Sequence, residues 1–185
     1  MKTRLEDIKP HFEKRTKRHI ELTQKFCKKI DRAFSKQFEG IVERGEQHDQ
    51  SKYGKEELDP YIWLTWEYKC KDDGVECKMP QGMKEKIHAA TEHHIRSNAH
   101  HPEFHVPKGQ FAGINKKDRD KPPGKLIDAT AMTDLDIAEM VADWCAMSEE
   151  RGSTPRSWAN QNVNVRWKFT PKQEKLIYKL IKAVW

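Results

Sequence analysis

The sequence has no long hydrophobic run. None of its segments approaches the roughly 18 consecutive apolar residues that a membrane-spanning helix requires. Residues 1–12 carry charges throughout and lack the apolar centre of a secretory signal peptide. Hydrophobic residues make up only 36% of the chain, against about 45–50% in ordinary globular proteins. We therefore expect a cytoplasmic protein without a membrane partner.

Cysteine is also scarce. The four cysteines form no CxxC pair, which disfavours a zinc ribbon or a thioredoxin-type site. Cys27 and Cys145 fall within apolar helical patterns and are predicted to be small core residues. Cys70 and Cys77 are close in sequence, but the reducing cytosol disfavours a disulfide between them.

Aromatic residues are plentiful despite the polar composition. Six Trp, seven Phe and four Tyr can fill a compact core, so the chain is not expected to be disordered. The length of 185 residues suits one domain, because domains commonly hold about 100–200 residues. We expect residues 1–185 to form a single domain.

The chain carries an uneven excess of positive charge. Its net charge is +6 with neutral His, and residues 1–37 contain twelve Lys/Arg against five Asp/Glu. Residues 108–125 form a second basic stretch, with six Lys/Arg against two Asp. Such a surface attracts phosphate groups, on a nucleic acid or on a small substrate. A solvated helix face followed by a loop would have the same composition.

The hydrophobic pattern is mainly helical. Thr133 with Asp136 resembles a capping box, and Thr154-Pro155 and Thr170-Pro171 are typical helix starts. Alternating apolar residues at 163–169 indicate a short extended segment, and 99–129 is predicted to be mostly loop. The predicted helices cover a long first segment to about residue 37, then 41–48, 56–69, 83–98, 134–151 and 171–184. The predicted fold is an all-α bundle of five to seven helices with a long loop containing Pro, Gly and Lys.

Three titratable residues fall on the apolar faces of three predicted helices. His19 shares a face with Phe12 and Phe26, seven residues away on either side, and His94 lies seven residues after Ile87. Asp143 lies between two Met residues in the helix 134–151. A buried carboxylate costs several kcal/mol unless it is paired or bound to a metal. Such residues can converge in a bundle core and form a metal site.

The dipeptide His48-Asp49 lies at the end of a predicted helix, where the backbone turns and both side chains can reach one ion. Imidazole and carboxylate together suit Mn, Fe, Co, Ni or Zn better than Ca. Five of the nine His residues also crowd into positions 93–105. We therefore predict a site for one or two divalent transition-metal ions.

The order of these residues, H…HD…H…H…D, resembles that of the HD-domain superfamily of helical metalloenzymes. The resemblance implies that one metal is held by four residues: His19, His48, Asp49 and Asp143. It also implies that Asp49 bridges to a second ion, which is held by His94 and by one member of the pair His100 and His101. The second ligand is left open. Helical spacing favours His101, but Pro102 disfavours a continued helix there, and analogy with HD-GYP enzymes favours His100.

The run HDQSK at 48–52 is similar to the HD-x-G-K run of HD-GYP phosphodiesterases and of inositol oxygenase, with Ser51 in place of Gly. A closer resemblance is to an uncharacterised family that is frequent in phage and bacterial genomes. It has HDxSK, an N-x-HH motif (here Asn98 to His101) and EMVADW (here 139–144). The resemblance covers about residues 15–160 and implies an HD-like fold. The predicted helix 171–184 follows this region. A phage-encoded member would act in the host cytoplasm.

The resemblance implies a metal-dependent phosphohydrolase that acts on a nucleotide or another small phosphoester. Asp49 and Lys52 are the predicted catalytic residues, and Lys52 would also bind a substrate phosphate. Arg96 and Asn98 are further candidates for substrate binding. Glu139 is expected to orient a ligand His from behind.

Two other function classes fit the same sequence. Iron in the same ligand set would support oxygenase chemistry, as it does in some HD-fold enzymes. Alternatively, the basic residues 1–37 would serve a non-enzymatic protein that binds nucleic acid. The expected partner is a small anionic substrate, with nucleic acid as the alternative.

Overall fold

The computed structural model describes residues 3–35, 37–107 and 125–185. Almost all of the basic stretch 108–125 therefore lies outside the described residues. The described residues form seven α-helices, which confirms the all-α prediction. The helices are α1 (Leu5–Phe34), α2 (Ile41–Gln47), α3 (Leu58–Asp72), α4 (Met83–Ser97), α5 (Asp134–Arg151), α6 (Pro155–Asn162) and α7 (Pro171–Val184). No helix among these residues is both long and apolar enough to span a bilayer.

Short elements lie between the helices. The segments Gln50–Tyr53 and Pro102–His105 are 3₁₀ helices. Strands β1 (Ile127–Asp128) and β2 (Trp167–Lys168) pair in parallel, with Ile127 opposite Trp167. The extended segment predicted near residue 167 is therefore present. The segment 99–129, predicted to be mostly loop, includes the second 3₁₀ helix and β1 among its described residues, and β1 pairs with a strand that lies 40 residues further along the chain.

Side-chain caps begin three of the helices where the sequence predicts them. Thr133 and Asp136 form a reciprocal capping box at α5, and Thr170 and Gln173 form another at α7. Thr154 accepts a hydrogen bond from the backbone of Ser157 at α6. These bonds satisfy amide groups that have no partner within the helix.

The first helix ends slightly earlier than predicted. It stops at Phe34, not near residue 37, because Ser35 has a φ of 32° and leaves the helical conformation. Pro10 lies inside the second turn, where its missing amide leaves the carbonyl of Glu6 without its usual helical donor.

Two hydrophobic clusters share α1. The larger cluster contains the second half of α1 with residues of α2, α5, α6 and α7, including Phe26 and Ile137. The smaller cluster joins the first half of α1 to α3 and α4, through Phe12, Ile62 and Ile87. Cys27 and Cys145 are fully buried in the larger cluster, as predicted, and all four cysteines are free thiols. His19 lies on α1 between the parts that serve the two clusters.

Candidate metal centre

Three side chains from separate segments form a first group. The Nε2 atom of His19 on α1 lies 3.0 Å from Oδ1 of Asp143 on α5. His48, just after α2, places its Nε2 3.9 Å from the same oxygen. The ligand atoms of all three residues lie within 4.8 Å of one another. Residues 124 positions apart in sequence thus converge, because α1 packs along α5.

Asp49 joins this first group to a second. Its Oδ2 lies 3.6 Å from Nε2 of His19 and 3.6 Å from Nε2 of His48. Its Oδ1 instead lies 3.1 Å from Nε2 of His94 and 3.7 Å from Nε2 of His100. The two carboxylate oxygens therefore face different groups, which is the arrangement that a bridging ligand needs.

The backbone at Asp49 makes this placement possible. Asp49 adopts a left-handed conformation with φ 59°, which is uncommon for residues other than glycine and better tolerated by Asp and Asn. The left-handed residue turns the chain sharply between α2 and the 3₁₀ helix Gln50–Tyr53. His48 and Asp49, 1% and 2% exposed, both lie in the buried interior as a result.

The second group consists of His94, His100 and His101, whose ligand atoms also lie within 4.8 Å of one another. α4 ends at Ser97, and Pro102 begins a 3₁₀ helix, so His101 is not on a continuation of α4. The turn between them nevertheless brings both members of the His pair to His94. Both alternatives for the second ligand therefore lie at the site.

Several buried polar atoms at the centre have no hydrogen-bond partner among the described residues. They are Nδ1 of His19, Nε2 of His48, Oδ1 of Asp49 and Nε2 of His101. Buried polar groups are normally satisfied, because an unpaired one costs about 1–3 kcal/mol. Ligand bonds of about 2.0–2.2 Å place neighbouring ligand atoms roughly 3–4 Å apart, as observed here. The chemistry and spacing of these residues fit a divalent transition-metal ion.

Two carboxylates contact the Nδ1 atoms of histidines that are candidate metal ligands. Glu139 Oε1 lies 3.0 Å from Nδ1 of His48 and 3.2 Å from Nδ1 of His100. Glu57 Oε2 lies 2.9 Å from Nδ1 of His94. An ionised carboxylate only accepts hydrogen bonds, so each of these Nδ1 atoms carries the proton. In a neutral ring, the Nε2 lone pair is then directed to the centre, as a metal ligand requires.

Glu139 is predicted from the sequence, whereas three further residues at the centre are not. Glu57 is fully buried directly before α3, where no helical spacing relates it to His94. Glu150 lies 3.5 Å from Nδ1 of His19 and shares a helix face with Asp143, seven residues earlier, so its spacing was a usable signal. Arg44 donates to Glu139 at 2.6 Å and to Asp136 at 2.9 Å. Only the packing of α2 against α5 reveals this last contact.

The charges of the centre shift its pKa values. Burial alone would lower the pKa of His19, but the hydrogen bond to Asp143 and the nearby carboxylate of Glu150 raise it to about 9. Burial alone would raise the pKa of Asp143, but the hydrogen bond from His19 holds it well below its usual range. Burial lowers the pKa of His101, and the neighbouring His100 lowers it further. In the absence of an ion, one proton is thus held at His19 and the pair at 100–101 stays neutral.

Lys52 is the predicted phosphate-binding residue, and its side chain lies at the edge of the centre. Its Nζ contacts Oδ2 of Asp49 and stands 5.4 Å from the ring centroid of Tyr61. The preceding Ser51 donates to Glu57 at 3.1 Å. The HDQSK run thus supplies two ligand candidates, one cation and one hydroxyl that holds a supporting acid.

The predicted substrate-binding residues Arg96 and Asn98 make contacts within the protein. Arg96 donates to the backbone carbonyls of Glu103 and Val106, which follow the His pair. Asn98 donates to the hydroxyl of Ser51 at 3.0 Å and caps α4 at the carbonyl of His94. These contacts position the His-bearing turn, and a substrate role for either residue stays a prediction.

The fold and the centre together define an all-α protein with buried His and Asp clusters that could hold a metal ion. The model of a family of unknown function, DUF5662, matches residues 9–183, so the chain belongs to this family. Neither the curated proteins nor the solved structures include a match to the chain.

Proposed function

We propose that the protein is a metal-dependent phosphohydrolase of the HD type, acting on a nucleotide or another small phosphoester. The observation that carries the proposal is the position of Asp49. Its Oδ2 faces His19 and His48 of the first group, and its Oδ1 faces His94 and His100 of the second. This is the arrangement that the resemblance to HD-domain enzymes implies for a bridging ligand.

The proposal assigns the ions to the two groups already described. The first would be held by His19, His48 and Asp143, and the second by His94 with His100 or His101. Asp49 would contact both. Mn, Fe, Co, Ni and Zn suit this mixture of imidazole and carboxylate. A divalent ion bound here supplies positive charge and lowers the pKa of a coordinated water.

The protein's own side chains account for the remaining steps. Lys52 holds an ammonium group beside Asp49, where it can neutralise charge on a phosphoryl oxygen. Asp49 is the candidate base, because it is the buried carboxylate that faces both groups. The basic excess of the chain would attract the anionic substrate. The four unpaired thiols accord with a reducing, cytoplasmic location.

Part of the positive charge on α1 is already neutralised. Lys9 pairs with Glu13, and Lys25 pairs with Glu149 of α5. The remaining positive charge therefore favours attraction of a small anionic substrate more than a surface dedicated to nucleic acid. Nucleic acid stays in the proposal as one form of phosphoester substrate.

The test combines metal analysis with a phosphatase screen. Protein purified anaerobically is assayed for bound metal, then for phosphate release from nucleotides and other phosphoesters with Mn, Co, Mg or Ni. We expect activity that Asp49→Ala abolishes. His88→Gln is the matched control, since His88 lies on the same helix as His94 but belongs to none of the groups of candidate metal ligands.

Two outcomes would overturn the proposal. Two iron atoms with oxygen uptake and no phosphate release would identify an oxygenase. Salt-sensitive binding of nucleic acid that survives Asp49→Ala, without turnover, would identify a binding protein.

A further inference from the structure

One carboxylate oxygen serves ligands of both groups. Oε1 of Glu139 lies 3.0 Å from Nδ1 of His48, in the first group, and 3.2 Å from Nδ1 of His100, in the second. The two imidazole rings are close, with centroids 4.3 Å apart. Glu139 is 3% exposed, so water does not easily replace either bond.

The other oxygen of Glu139 is held from the opposite side. Nε of Arg44 donates to Oε2 at 2.6 Å, and Nη2 of Arg44 donates to Asp136 at 2.9 Å. Asp136 is itself fixed by the capping box with Thr133. The cap of α5, Arg44 and Glu139 thus form a continuous chain of hydrogen bonds that ends on two ligand histidines.

Glu57 provides a natural comparison. It also accepts a hydrogen bond from a ligand histidine, at 2.9 Å from Nδ1 of His94. Its other oxygen faces His93, whose side chain is 43% exposed and belongs to neither group of candidate metal ligands. Glu57 therefore supports one group, whereas Glu139 supports both.

We propose that Glu139, held by Arg44, couples the two metal positions so that they fill cooperatively. The inference rests on the metal centre of the proposed function. An ion on His48 fixes that ring and, through it, the shared oxygen of Glu139. The ring of His100 is then already oriented when the second ion arrives, so the second ion pays less ordering entropy. Glu139 and Arg44 act as positioning residues and touch no substrate in this scheme.

The experiment is a Co²⁺ titration of the full chain after removal of metal, followed by calorimetry and visible spectroscopy. We expect the wild type to take two ions with positive cooperativity. Glu139→Gln places an amide NH₂ against either Arg44 or a histidine proton. This substitution should lower the affinity for both ions by about 10–100-fold, the usual effect of losing a carboxylate that supports a ligand histidine. It should also abolish the cooperativity of binding. Glu57→Gln should lower the affinity for the second ion only.

Two further measurements separate this role from a general effect on folding. Arg44 is partly exposed, so Arg44→Lys should fold and lower the cooperativity even if Glu139→Gln does not fold. Nitrogen-15 NMR of the histidines should report loss of the Nδ1-protonated form at two rings in Glu139→Gln and at one ring in Glu57→Gln.

The outcomes distinguish this inference from the proposed function. Two ions that bind independently in the wild type would refute the coupling and leave the hydrolase proposal intact. Cooperative binding that persists in both Glu139→Gln and Arg44→Lys would also refute it. A wild type that binds no Co²⁺ would remove both proposals together.

Discussion

At the scale of single residues, the centre places acceptor atoms opposite one another. Because Glu57 fixes the proton of His94 on Nδ1, the lone pair of Nε2 faces Oδ1 of Asp49 at 3.1 Å. Two acceptors at this distance repel each other unless a proton or a cation lies between them. The raised pKa values of His19 and His94 reflect the same requirement, because burial would lower both and the nearby carboxylates reverse that effect.

The pKa of His19 leads to a prediction about stability in the absence of metal. Its pKa is about 9 in the folded chain and 6.5 ordinarily, so the stabilisation is complete below pH 6.5 and is lost as the pH rises towards 9. For chelator-treated protein, we expect the free energy of unfolding to fall by about 2 kcal/mol between pH 6.5 and about 8.5. Urea denaturation at several pH values measures this loss.

His19→Gln is the control for this pH dependence. The variant lacks the titrating ring and should show a much flatter profile over the same range. A wild-type stability that rises from pH 6.5 to about 8.5 would show that His19 does not hold its proton in the metal-free protein.

At the scale of elements, the centre depends on the close approach of α1 and α2. Gly45 packs directly on α1, where an added Cβ would lie 3.0 Å from Sγ and 3.1 Å from Cβ of Cys27. Glycine is needed because the neighbouring atoms belong to a fully buried cysteine. The approach brings the end of α2, and hence His48, to the level of His19.

Gly45→Ala should therefore affect both the fold and the metal site. The extra methyl group lies too close to Cys27, so that α2 or the Cys27 side chain shifts by a few tenths of an ångström, which we expect to cost about 1–3 kcal/mol of stability. It should also weaken metal binding, since His48 moves relative to His19. Thermal melts and metal titrations measure the two effects. Glu46→Ala, on the exposed side of the same helix, should leave both unchanged, and equal effects in the two variants would contradict the packing argument.

The turn that carries the His pair is held by contacts on three sides. Arg96 of α4 binds the carbonyls of Glu103 and Val106. The carboxyl of Glu103 accepts a hydrogen bond from Nε1 of Trp167 on β2, at 2.9 Å. His105 lies 2.9 Å from the carbonyl of Ala99, through its Nε2. These contacts give the 3₁₀ helix Pro102–His105 a defined position without help from helix propensity.

At the scale of the whole molecule, the centre lies where the two hydrophobic clusters meet. His94 belongs to a helix of the smaller cluster, whereas Asp143 belongs to a helix of the larger one. An ion that binds residues of both would cross-link the two halves. Metal binding and folding should therefore be strongly linked.

Metal loading should raise the melting temperature by about 5–10 °C. An ion at 100 times its dissociation constant stabilises the fold by about 2.7 kcal/mol, and a domain of this size gains about 2–4 °C per kcal/mol. Chelated protein should also lose amide protection first in α3 and α4, which pack in the smaller cluster. Calorimetry and hydrogen exchange measure these effects. A uniform loss of amide protection over the chain would contradict the idea that the metal ion links the two hydrophobic clusters.

The helices and most of the ligand candidates could be predicted from local signals. Capping boxes and Pro residues mark helix starts, and seven-residue spacing places His19 and His94 on apolar faces. Such signals report on neighbours within about two turns of the same helix. They could not reveal the strand pair Ile127–Asp128 and Trp167–Lys168, whose partners are distant in sequence.

The helical class, the buried side of each helix and the residue types of the candidate centre follow from local patterns in the amino-acid sequence. The three-dimensional structure was needed to show that the oxygens of Asp49 face two groups and that both His100 and His101 reach His94. It also showed that Glu139 serves two histidines and that Arg96 holds backbone carbonyls. The physical reason is that these features depend on how separate helices pack against one another, and side-chain periodicity within one helix carries no information about that packing.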